Sequence, residues 1–149
     1  MNGTVIFDPA LPCIVFVHGA LHDHSAWTLL ARWFAHHGRS VLAVDLPGHG
    51  RSGGAPLPSI EDLADWIELL LERVGAGETA KSVSLVGHSM GSLIALQAAA
   101  TAPDQISRLA LVGSVAPMPV AAPLLDATLT DRNKAHAMIN QWSYAPRAQ

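Results

Sequence analysis

The run Gly87-His88-Ser89-Met90-Gly91 has the residue types and spacing of a G-x-S-x-G turn. A serine hydroxyl is a poor nucleophile until it is exposed, oriented and set beside a base. A sharp turn between a strand and a helix exposes it. Glycines two positions either side let the strand and helix approach closely. The helix N-terminus then directs positive partial charge at an oxyanion developing on the attacked carbonyl. The context fits, because an apolar run over residues 82–86 precedes the motif and a helical pattern follows it. G-x-S-x-G also arises by chance as a plain turn, and the flanking pattern is what favours the chemical reading.

Other reactive side chains carry weaker signals. His22, Asp23 and His24 are three ligand types in a row, with His36 and His37 nearby. Zinc needs three or four convergent donors, and adjacent histidines on a helix point apart, so no metal site is expected. His22 and His24 are read instead as shaping the loop beside Ala20. His88 points away from its neighbour on the elbow and takes a structural role. His49 and Arg51 read as turn residues. Gly48, Gly50, Gly53 and Gly54 lack the Gly-Lys-Ser/Thr ending of a phosphate loop, and no strand-linked G-x-G-x-x-G is present, so nucleotide binding is not supported. Trp27, Trp33, Trp66 and Trp142 read as packing residues, as do Met118 and Met138 unless a cap places those methionines at a pocket.

The elements that must position Ser89 follow from hydrophobic patterning. Residues 13–17, 40–44, 82–86 and 109–112 are short apolar runs without polar alternation, as suits strands buried on both faces. A short strand is also expected over residues 4–7. Helical spacing over residues 25–37 ends at Gly38. A cleaner stripe, Ile60, Leu63, Ala64, Ile67, Leu70, Leu71 and Val74, starts after a Ser59 cap with Asp62 three residues on, and Gly75 follows its end. A third helix runs from Ser89 to about residue 101, and shorter ones are expected over 124–129 and 134–142. Alternating strand and helix predicts an α/β fold with a parallel sheet.

Composition agrees. The 149 residues are 50% hydrophobic and 14% charged, against roughly 25% charged in an average soluble domain. Disorder is excluded by that hydrophobicity. A net charge of −3 with scattered Lys and Arg excludes a nucleic-acid stripe. The single cysteine, Cys13, excludes an internal disulfide and a Cys-based zinc cage. The apolar stretch over 109–125 is broken by Gly113, Pro117, Pro119 and Pro123, so no membrane span is expected. The N-terminus lacks the basic and apolar regions of a signal peptide, which makes the cytoplasm the expected compartment.

Two more segments complete a pattern. Phe16-Val17-His18-Gly19-Ala20 closes the first strong strand with a His-Gly step. Asp45-Leu46-Pro47-Gly48-His49-Gly50-Arg51-Ser52 closes the second with a tight glycine-rich loop. With the elbow, these resemble the α/β-hydrolase family in order and spacing, over about residues 5–115. The resemblance implies a three-layer α/β fold and a cofactor-free serine hydrolase acting on a small-molecule ester, amide or related acyl substrate. Ser89 matches the nucleophile, and the backbone N–H groups of Ala20 and Met90 match the oxyanion donors. His18 then organises a loop, with Gly19, Gly87, His88 and Gly91 in support. A serine here argues against the branches that use aspartate. Esterases, peptidases, lactonases, carbon–carbon bond hydrolases and acyltransferases all remain open.

The family's acid and histidine follow the serine in the chain. After Ser89 the histidine is His136 and the acids are Asp104, Asp126 and Asp131. Asp126 or Asp131 with His136 satisfies the order, yet these segments resemble the start of the family's cap. The competing reading is that they are solvated helix residues and the triad's acid and base are missing. Residues 1–115 are then the N-terminal part of a hydrolase core, cut after about the sixth strand. Residues 116–149 form the start of a helical cap or an irregular tail. The last strand becomes an open apolar edge that invites pairing with another copy of the chain. An inactive hydrolase-like module that binds or dimerises is the alternative to an enzyme, and a second chain supplying the acid and histidine combines the two.

Overall fold

The computed structural model describes residue 8 and residues 10–74 and 83–143. The strand expected over 4–7 and the Gly75 cap lie outside these residues. The chain divides into two compact units, Met1–Ser114 and Val115–Gln149.

The first unit is a sheet of four parallel strands with helices between them. In chain order these are β1 (Cys13–Val17), α1 (Thr28–His36), β2 (Ser40–Ala43), α2 (Ile60–Arg73), β3 (Val83–His88), α3 (Met90–Thr101) and β4 (Ile106–Val112). The sheet order is β2-β1-β3-β4, with every pairing parallel.

The helices start and stop where side chains satisfy their end groups. Asp23 accepts from the Ser25 N–H and opens a 3-10 turn, His24–Trp27, so the regular part of α1 begins three residues later than the apolar spacing suggests. Its end is a Schellman motif: the Gly38 N–H reaches the Ala35 carbonyl and the Arg39 N–H reaches the Phe34 carbonyl. Ser59 accepts the Asp62 N–H at 3.0 Å and caps α2 as its spacing predicts.

Side-chain alternation along β1 assigns the two faces. Val15 and Val17, with Val83 and Leu85 of β3, pack on Leu63, Ala64, Ile67 and Leu71 of α2 and on Ile94, Ala95 and Ala98 of α3. Ile14 and Phe16 point the other way, into a smaller cluster with Trp27 and Val41 that Phe34 of α1 covers. β1 is therefore buried on both faces, as its unbroken apolar run predicts. β3 is buried only at alternate positions. In β4 the expectation of a buried strand fails: Leu109, Leu111 and Val112 are 37%, 41% and 45% exposed. Among the described residues β4 is an edge strand with β3 as its sheet neighbour, and it is exposed on both faces: Leu109 and Leu111 share the face of Leu85, while Val112 lies on the α1 side.

The second unit is a helix pair, α4 (Ala122–Thr130) and α5 (Arg132–Ser143). Ala127 and Ala135 are its buried residues, and Asp131 between the helices accepts the Lys134 N–H at 3.1 Å. Among the described residues no helix is long and apolar enough to cross a membrane.

Candidate active site

Ser89 stands between β3 and α3 with φ 53° and ψ −121°. Positive φ is rare for a residue with a Cβ and is held only where the surroundings enforce it. They do so here by close backbone approach. A Cβ on Gly87 would run into the backbone of Gly91 and Ser92, and one on Gly91 would run into the carbonyls of Val17 and His18. Only glycine fits at either place. The Ser89 N–H donates to the Val112 carbonyl at 2.9 Å, fixing the elbow to the end of β4.

A serine at a helix N-terminus ordinarily turns its hydroxyl onto the helix N–H groups. Ser89 makes no such capping bond, so its Oγ is not engaged by the helix. Ser92, fully buried one turn on, takes over the local bonding: its N–H and its Oγ both donate to the Ser89 carbonyl, at 2.8 and 2.5 Å.

The loop after β1 lies directly against this serine. A Cβ on Gly19 would come within 3.2 Å of Ser89 Cβ and 3.1 Å of His88 Nδ1. The loop turns tightly, with the His22 N–H on the Gly19 carbonyl at 3.2 Å and Leu21 at φ 61°. Among the described residues, no protein acceptor takes the N–H of Ala20 or of Met90.

His18 anchors the start of the loop and is fully buried. The Leu46 N–H reaches its Nε2 at 3.2 Å. A backbone N–H can only donate, so Nε2 is the bare nitrogen and the ring proton sits on Nδ1, which donates to the Gly19 carbonyl at 2.8 Å. Burial pushes the His18 pKa below the ordinary histidine value, keeping the ring neutral.

Asp45, at the end of β2's extension, ties the two loops together. Its Oδ1 accepts from the His24 N–H at 2.7 Å and faces His24 Nδ1 at 2.8 Å, while Oδ2 accepts the Arg51 N–H at 2.9 Å. Burial pushes this carboxyl upward, but the N–H donors of Arg51 and His24 outweigh it and hold it below the usual carboxylate range. Asp23, His24 and Asp45 place ligand atoms within 4.8 Å of one another. Both Asp45 oxygens are already bonded to N–H donors, and Asp23 is occupied with Ser25, so the group serves as a loop clamp.

His88 is half-buried, with its ring stacked on His22 at 5.8 Å and Trp27 edge-on at 6.4 Å. Burial, then the neighbouring His22, lowers its pKa.

The remaining candidates lie in the second unit. Asp126 and His136 are exposed on α4 and α5, and Asp131 is spent on the Lys134 N–H. Among the described residues no hydrogen bond or ion pair joins His136 to any carboxylate. Sequence reasoning missed the strained Leu21, the bonding of Ser92 and the closure of His24 on Asp45. Only the last had a signal, an acid at a strand end.

These elements define a class, and comparison with known proteins supplies it. The model of the alpha/beta hydrolase fold matches residues 12–145, and the chain belongs to this family. It is 34% identical over 103 residues to the (E)-2-((N-methylformamido)methylene)succinate hydrolase of Acinetobacter baylyi, covering 68% of this chain and 37% of that one. It is 37% identical over 106 residues to an sn-1-specific diacylglycerol lipase of Mus musculus, covering 70% and 33%. The chain thus spans about a third of the length of these curated relatives. Among solved structures, a thioesterase domain from the curacin biosynthetic pathway superposes with a TM-score of 0.65 at 28% identity, over 87% of this chain and 47% of that one. An alpha/beta hydrolase from a deep-sea metagenome shares the fold with a TM-score of 0.76 over 94% and 52%.

Proposed function

We propose that this chain carries the nucleophile and oxyanion site of a serine hydrolase acting on small ester, thioester or amide substrates. The observation that carries the reading is Ser89 itself. It is forced into positive φ between two obligatory glycines, with an Oγ that caps nothing and the Gly19 loop against its Cβ.

The chemistry follows from the groups in place. Ser89 Oγ attacks the acyl carbonyl as a base removes its proton. The N–H groups of Ala20 and Met90 receive the oxyanion. Donors of this kind each contribute about 2.7–4 kcal/mol to the transition state. Collapse expels the alcohol, thiol or amine with a proton and leaves an acyl ester on Ser89, which water then hydrolyses. The lipase and thioesterase among the relatives support an acyl substrate.

A second reading, binding without turnover, is favoured by one observation. The His–Asp pair at hand, His24 with Asp45, is committed to joining two loops, and no bond links His24 to Ser89. Hydrolysis of a nitrophenyl ester by the 149-residue chain, beside Ser89→Ala, separates the two. Turnover lost in the variant supports the enzyme, whereas equal rates in both proteins contradict it.

A further inference from the structure

The loop after β1 is pinned at both ends, by His18 at its start and by Asp45 on His24 at its far end. Between these anchors Leu21 sits at φ 61°, a conformation that persists only where the surroundings enforce it. His22 carries this middle stretch onto the elbow. Its ring lies against that of His88, with centroids 5.8 Å apart and planes 5° apart, within the range of an offset stack. His88 is enclosed on its other sides. Trp27 meets it edge-on at 6.4 Å, a Cβ on Gly19 would stand 3.1 Å from its Nδ1, and one on Gly113 would stand 3.5 Å from its Nε2. His22 Nδ1 and Trp27 Nε1 are buried with no hydrogen-bond partner among the described residues. Unpaired buried nitrogens are unfavourable, and here they accompany rings placed by contact rather than by bonding.

We infer that His22 is a positioning residue for the reaction: its imidazole, stacked on His88 beside the nucleophile, holds the turn from Gly19 to His22 where the Ala20 N–H meets the oxyanion. That turn closes through the His22 N–H on the Gly19 carbonyl at 3.2 Å, and Ala20 lies inside it, so the ring and the donor move together. The inference rests on the hydrolase reading, which gives the donor its purpose. The stack requires neutral rings, because two imidazolium ions in contact repel. Burial, then the neighbouring His22, lowers the His88 pKa and keeps that ring neutral. The other titratable groups around the pair are His18 and, beyond it, His49 and Asp45. Trp27 from the 3-10 turn and Gly113 from the end of β4 add no charge. Among the described residues no carboxylate forms an ion pair with either ring.

The test reads three quantities on the whole chain: the rate of fluorophosphonate labelling at Ser89, the hydrogen-exchange protection of the residue-22 amide, and the NMR titration of His88. His22→Ala slows labelling at least about ten-fold and strips protection from the residue-22 amide, while the Leu85 amide in β3 stays protected. His22→Phe restores a stacked ring without a titrating group. It recovers labelling to within about three-fold of the wild type. His88 then titrates at a higher pH than in the wild type, because the like charge beside it is gone. Three results overturn the inference. They are a residue-22 amide equally protected in the wild type and in His22→Ala, a His22→Phe variant that labels as slowly as His22→Ala, and a His88 that titrates at the same pH with His22 or Phe beside it. A wild-type chain that does not label, yet shows the expected exchange and titration, fails differently. It overturns the hydrolase reading, and the positioning role falls with it although the stack stands.

Discussion

The two faces of the one sheet differ sharply. Toward α2 and α3, Val15, Val17, Val83 and Leu85 are all 0% exposed. Toward α1, Val86 and Ser84 on the same strand β3 are half-buried and line an open groove. Both faces are apolar, so composition is not the difference. It is the number of helices laid over each: two pack across the first, and one covers only part of the second. The nucleophile depends on the closed face, because α3 supplies its helix and Gly91 its close approach to β1.

Breaking that approach has the largest expected effect. Gly91→Val sets a side chain into the Val17 and His18 carbonyls and costs more than about 4 kcal/mol, so denaturant titration finds little folded protein. The comparison is sharpened by truncating neighbours on opposite faces. Leu85→Ala on the closed face costs about 2–5 kcal/mol in urea unfolding. Val86→Ala over the groove costs less than about 1 kcal/mol, because its side chain is only partly removed from water. Equal losses would erase the distinction between the faces.

Acid stability tests the buried histidine beneath the Gly19 loop. His18 and His88 both titrate lower in the fold than in the unfolded chain. The unfolded chain therefore takes up protons first as pH falls. Their contribution is complete above the ordinary value of 6.5 and shrinks below it. His18→Gln flattens the fall in unfolding free energy as pH drops below 6.5. Asp45, held low, enters only below its ordinary value of 3.8. The smallest effect is expected at the strained turn: Leu21→Gly relieves a positive φ, the added freedom of glycine in the unfolded chain offsets part of that gain, and stability rises by about 0.5 kcal/mol, read as a higher Tm.

Much of the architecture was legible in the chain. Apolar runs separated by helical stripes give β1 to β4 and α1 to α3 with ends shifted by a few residues, and Ser59 with Asp62 marks a cap that forms. The shift at α1 arises because Asp23 captures the Ser25 N–H and inserts a 3-10 turn, a local bond that apolar spacing does not register. The exposure of β4 is not legible in the chain, because an apolar run looks the same at the centre of a sheet as at its edge. At the site, the elbow is visible in spacing. The proton position on His18, the Asp45 clamp and the Ser92 bond depend on residues brought together from separate loops, or on backbone geometry that spacing does not encode.

The central claim is that the fold sets Ser89 apart as an attacking oxygen. Incubation of the 149-residue chain with a fluorophosphonate, followed by intact-mass and peptide mapping, tests it most directly. The account predicts a single adduct on Ser89 that is absent from Ser89→Ala and from urea-unfolded protein. An unmodified chain, or an adduct that persists in the variant, contradicts it.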